Sequence, residues 1–189
     1  MKKILNPIEF FNDKKLLLIN LIIFVCGTLL SVALHATFES PISLHFSEKM
    51  VPAQTFFGNT ISIISLCLAF FLAAKIINRK TRFIDCLNLA MYLRIPYYFL
   101  TLINLFFLFS DQTSNKNIDK ESNLFNDITE LVIGYSMFFL LISFLVVIGI
   151  SVYRSFKTIC NAKKTTDYLL LIGTLLIFII TSSLIIKNI

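Results

Sequence analysis

Apolar residues fall into five long runs, 16–36, 60–77, 87–110, 131–153 and 168–186, separated by intervals that are polar, basic or both. A helix needs roughly 20 apolar residues to cross a hydrocarbon core about 30 Å thick, and each run is close to that length. None alternates polar and apolar residues in the ten-residue segments that a barrel strand would show. The pattern predicts an all-α integral membrane bundle of five transmembrane helices in one domain, 16–186, preceded by a 1–15 cytoplasmic tail.

Basic residues orient the bundle, because Lys and Arg collect in short cytoplasmic loops. Lys2, Lys3, Lys14 and Lys15 precede the first run, Arg79, Lys80 and Arg82 follow the second, and Arg154, Lys157, Lys163 and Lys164 follow the fourth. The opposite loops and the C-terminal tail hold only Lys49, Lys116, Lys120 and Lys187. The N-terminus is therefore expected inside and the C-terminus outside. The start imitates a secretory signal, with Ser31-Val32-Ala33 as a cleavage site, but the apolar run exceeds a usual signal core, which favours an uncleaved helix.

Composition agrees: 57% of the 189 residues are hydrophobic, 15% are charged, 20 are Phe, and the mean hydropathy is +0.81. Those values exclude disordered, collagen-like and disulfide-stapled secreted classes. The net charge of +6 follows from the loop anchors and does not call for nucleic acid. Cys26 and Cys67 lie in apolar runs, while Cys86 and Cys160 are expected in loops on the reducing side, so all four are read as reduced structural thiols.

Between the runs, Asn6-Pro7-Ile8-Glu9 reads as a helix start, giving either a short interfacial helix or an anchored tail. The interval 37–59, with Pro41, Pro52 and several apolar residues, is expected to pack over the outer mouth of the bundle. The stretch from Asp111, DQTSNKNIDKESN, is polar enough to predict disorder. In RKTRFIDCLNLAMYLRIP, from Arg79, helical periodicity runs to Leu93 and then meets Arg94 and Pro96. Pro96 predicts a structural kink, or an interfacial helix ending near Leu93 before the true span.

Chemistry is sparse. The five runs contain no Asp or Glu, which argues against carboxylate relays of ion-coupled pumps. Lys75 lies one turn from a cytoplasmic end. Arg94 either snorkels to the inner surface or, beside the kink, binds a lipid phosphate or an anionic substrate. Small and polar residues share helix faces, as in Asn20, Gly27, Ser31 and His35, or Ser65, Ala69 and Ala73; they are read as close-packing surfaces. Gly134, Ser143 and Gly149, and Gly173, Thr174 and Thr181, receive the same reading, and Asn104 is expected to bond a neighbouring helix. His35 and His45 are too few for a metal site. No nucleotide, zinc-protease or serine-hydrolase motif occurs, so no catalytic residue, cofactor or metal is assigned.

Three stretches resemble the bacterial form of the five-span Yip domain, named for Ypt/Rab-interacting proteins. NPIEFFNDKK from Asn6 is similar to that family's entry to the first span. KIINRKTRFIDCLNLAMYLRIPYYF from Lys75 is similar to its central basic loop and the following proline-ended stretch, and VYRSFKTICNAKK from Val152 to the loop before its last span. The resemblance implies a five-helix bundle with a cytoplasmic N-terminus in the bacterial plasma membrane and offers no catalytic residue. Eukaryotic relatives act in membrane traffic and bind Rab GTPases, through a long N-terminal region that has no counterpart in the short tail before this first span.

The leading expectation is a non-enzymatic membrane protein that organises the bilayer or binds lipids and other membrane proteins, self-association included. Arg79, Lys80, Arg82, Arg154, Lys157, Lys163 and Lys164 would form its basic inner surface. The alternative is a small transporter or channel subunit for an anionic or small polar solute, built around Arg94 with Asn20 and Asn104. A polar cavity at Arg94 would favour transport.

Overall fold

A computed structural model describes residues 6–46, 51–102, 104 and 123–188. They form seven helices and one two-stranded hairpin: α1 Pro7–Phe10, α2 Asp13–Ala33, β1 Ala36–Thr37, β2 His45–Phe46, α3 Pro52–Ile77, α4 Phe83–Tyr92, α5 Ile95–Thr101, α6 Asn123–Cys160 and α7 Thr165–Lys187. Among these residues, four segments are long and apolar enough to cross a membrane: Asp13–Ala33, Pro52–Ile77, Ile142–Cys160 within α6, and Thr165–Lys187. Their outward faces carry large apolar side chains such as Leu29, Ile76, Leu169 and Ile177, which lipid can cover.

Local chemistry sets the helix ends. Asn12 caps α2 by accepting from the Lys14 N–H at 3.2 Å. At its other end His35 takes a left-handed φ of 52° and turns the chain into β1, which pairs antiparallel with β2 in the register Ala36↔Phe46 and Thr37↔His45. Pro52 opens α3, where its missing N–H costs nothing. That start lies eight residues before the expected one at Thr60, and it makes Phe56 and Phe57 helical. The hydropathy of 52–59 is diluted by Gln54, Thr55 and Asn59, yet Thr55 and Asn59 are fully buried within the bundle.

The third expected span is interrupted. The chain leaves the helix after Tyr92, passes through Leu93 and Arg94, and restarts at Ile95 with Pro96 as second residue. This is the kink predicted from Pro96, whose ring cannot coexist with a continued helix. Residues 103 and 105–110 of that expected span, and the polar stretch 111–122, lie outside the described residues. Cys86 is inside α4 and Cys160 ends α6, so neither is in a loop; both are buried.

One large apolar core joins α3, α4, α6 and α7, with Phe70, Leu89, Phe156 and Leu171 among its buried members. Ser65 Oγ donates to the Phe178 carbonyl at 2.8 Å, and Gly58 lies near Ile186, so α3 and α7 run antiparallel over their length. Asn6 reaches Thr158, and Tyr153 stacks on Tyr168 with ring centroids 4.9 Å apart. The starts of α2, α4 and α7 and the ends of α3 and α6 therefore share one end of the bundle, and the β hairpin lies at the other.

Candidate functional site

Between α4 and α5 the break delivers Arg94 to the middle of the bundle with no exposed surface. It does not snorkel, because the break between the two helices turns it inward. Its Nε donates to Asn59 Oδ1 at 3.0 Å and its Nη1 to the Pro41 carbonyl at 2.9 Å. Phe38 and Tyr97 sandwich the planar cation, with ring centroids 4.3 and 5.2 Å from Cζ. Nη2 has no acceptor among the described residues.

Asn59 joins the neighbouring helices to this cation. Its Nδ2 donates to Thr28 Oγ1 on α2 at 2.7 Å and to Tyr98 Oη on α5 at 2.8 Å. Thr28 Oγ1 in turn donates to the Phe24 carbonyl at 2.7 Å. Four separate segments thus meet at one polar node: α2, the 36–46 turn, α3 and the α4–α5 break. Two glycines make the approach possible. A Cβ on Gly27 would collide with the Tyr98 ring, and one on Gly58 with the Phe38 carbonyl. Sequence reasoning singled out Arg94 and Gly27 but missed Asn59, Thr28, Phe38, Pro41 and Tyr98. The available signal is the pair Thr55 and Asn59 at helical spacing, within the interval expected to be a loop.

Other expected packing contacts divide by helix. Asn20 donates to the Asn88 carbonyl at 3.1 Å, Asn104 donates to the Leu34 carbonyl at 2.7 Å, and Ser31, Ala69 and Ala73 are fully buried. His35 departs from that face, since α2 has already ended. Gly149 and Gly173 have nothing within 4 Å of a built Cβ, and Ser143 and Thr181 are exposed. Ser143, Gly149, Gly173 and Thr181 therefore face outward, whereas Thr174 is half-buried. Gly134 lies within α6.

All seven predicted loop cations are exposed at the shared helix end. Arg82 is the exception in charge: its Nη1 lies 2.8 Å from Asp13 Oδ2, and its Nε and Nη2 hold Asp85 at 3.1 and 3.0 Å. The paired carboxylates push the Arg82 guanidinium further up, while burial pushes the Asp85 carboxyl up against the opposite pull of Arg82. Arg79, Lys80, Arg154, Lys157, Lys163 and Lys164 form no ion pair among the described residues. Asp167 instead caps α7 by accepting from the Lys163 and Lys164 backbone N–H groups, both at 3.1 Å. Lys75, in the last turn of α3, is exposed over the Phe71 ring.

Two hollows open among the described residues. At the hairpin end a cavity of about 490 Å³ is lined by Thr37, Phe38, Glu39, His45, Gln54, Ser183, Ile186 and Lys187. A smaller, almost wholly apolar crevice of about 160 Å³ runs between the α4–α5 break and α6, from Pro96 and Phe99 to Phe144 and Val147. Arg94 lines neither. No group of three or more His, Cys, Asp or Glu side chains among the described residues could hold a metal ion. No protein-family model, curated protein or solved structure matches the chain.

Proposed function

We propose that this is a five-span protein of the bacterial plasma membrane, with a cytoplasmic N-terminus and an outside C-terminus, that acts without catalysis by binding anionic lipid headgroups. The observation that carries the reading is the set of six exposed cations, Arg79, Lys80, Arg154, Lys157, Lys163 and Lys164, gathered at one end of the bundle with no carboxylate partner among the described residues. Basic side chains beside an anionic leaflet contribute about 1 kcal/mol each. Chain direction supports five crossings. α3 and α6 both end at the basic end, which supports a return crossing by the chain between them. The resemblance to the Yip domain points the same way, and a membrane-protein partner or a second copy could share the surface.

Transport has less support. It requires a polar passage at Arg94, and that guanidinium is packed between two rings and bonded to Asn59 and Pro41.

Lipids retained by the purified chain test the reading by native mass spectrometry. Replacing Arg154, Lys157 and Lys163 together by Gln is expected to reduce phosphatidylglycerol retention relative to phosphatidylcholine by about 100-fold, from roughly 1 kcal/mol for each of three charges. An unchanged lipid profile in a variant whose topology, mapped by cysteine labelling, is intact would refute it.

A further inference from the structure

The cavity at the hairpin end is built around an unusual wall. Phe38 is 1% exposed; one of its contacts is the Arg94 guanidinium, centroid to Cζ 4.3 Å, and it also lines the cavity. Phe38 therefore borders both a buried cation and a hollow of about 490 Å³, a size that suits a small-molecule ligand. That cation has neutral partners only: an amide oxygen and a backbone carbonyl accept from it, and its Nη2 is without an acceptor among the described residues. No carboxylate pairs with it among the described residues, and in a poorly polarisable interior a charge acts over several ångströms.

The lining itself carries the complementary groups. Lys187 offers an ammonium, Thr37, Gln54 and Ser183 offer neutral hydrogen-bonding groups, and Glu39 is the one carboxylate among the lining residues. Thr37 Oγ1 already donates to the His45 carbonyl at 3.2 Å, which ties the hairpin wall together. Among the described residues, Arg94 beside Phe38 together with Lys187 outweighs the single carboxylate of Glu39.

We infer that this cavity binds a small molecule through a phosphate or carboxylate group, held by Lys187 and drawn by Arg94 acting through the Phe38 wall. The ligand is either a free organic anion or the headgroup of a lipid entering from the side. This site is at the opposite end from the basic surface proposed above and does not depend on it.

The test uses the purified full-length chain and isothermal titration with sn-glycerol 3-phosphate and, separately, acetate; nanodiscs of phosphatidylcholine with and without phosphatidic acid supply the lipid arm. Binding of either free anion identifies a soluble ligand, and enrichment of phosphatidic acid alone identifies a headgroup; both support the site. Because Lys187 and Glu39 are exposed, their variants leave the packing of the bundle untouched. Lys187→Gln is expected to weaken binding about tenfold and Lys187→Arg to restore it, while Glu39→Gln strengthens it severalfold. Opposite signs at two surface positions are not produced by a structural defect. Variants at Arg154 and Lys157 leave this binding unchanged, which separates it from the lipid surface at the other end. No binding in any arm, or equal affinity in wild type, Lys187→Gln and Glu39→Gln, overturns the inference.

Discussion

Coupling between Asn59 and Arg94 is the sharpest quantity the structure defines. Asn59→Ala removes the acceptor of the Arg94 Nε bond at 3.0 Å and the donor of two bonds, to Thr28 at 2.7 Å and Tyr98 at 2.8 Å. A hydrogen bond to a charged group contributes about 1.5–3 kcal/mol, and a neutral one about 1 kcal/mol. The single substitution should therefore cost about 4 kcal/mol, more if the emptied volume does not collapse. Arg94→Met changes stability with two opposing contributions, since it strands Asn59 Oδ1 and the Pro41 carbonyl but removes a buried cation that has no carboxylate partner among the described residues. The double-mutant cycle does not need that balance to be known. In the Arg94→Met background the charged bond is already gone, so Asn59→Ala should cost about 2 kcal/mol, leaving a coupling of about 1.5–3 kcal/mol. Reversible unfolding of the four proteins in mixed detergent micelles measures it. Additivity within about 0.5 kcal/mol would show that the two side chains do not share the buried bond and would refute the polar node as a structural tie.

Three further outcomes follow from the geometry. Gly27→Ala, which drives a methyl into the Tyr98 ring, should destabilise by about 1–3 kcal/mol, whereas Gly149→Ala, with open space around it, should be neutral or gain up to about 1 kcal/mol from helix propensity; thermal midpoints in detergent compare them. Cys86 has no exposed surface, so mass spectrometry should find it unmodified by N-ethylmaleimide until the chain is denatured. Arg82→Gln should lower stability slightly at low ionic strength and not at all in 1 M salt, because its ion pairs with Asp13 and Asp85 involve a side chain 61% exposed; a salt-independent loss would mean that the contact is packing rather than charge.

What could be read from the sequence was whatever depends on continuous apolarity or on proline. The runs near α2, α3 and α7 appear where hydropathy placed them, Pro96 breaks the helix, and Asn104 bonds a backbone carbonyl as a lone amide in a span should. The polar node was hidden for a physical reason. Thr55 and Asn59 lower the apparent hydropathy of α3 because they face inward, so the residues that hold Arg94 looked like the end of a span. Snorkelling follows from the distance of Arg94 to a helix end along a straight helix, but the turn at Leu93 and the inward fold of 36–46 alter that distance. A linear periodicity carries no record of either. The outward placement of Gly149 and Gly173 was equally invisible, since a small residue gives no sign of which side its neighbours are on.

Asn6 donates to Thr158 at 2.8 Å, and Ser155 Oγ donates to Asn6 Oδ1 at 3.4 Å, across separations of 152 and 149 residues. During synthesis that amide has no partner on α6 until the chain has been built through residues 155–158. Docking of α1 against the end of α6 therefore waits until residues 155–158 have been made.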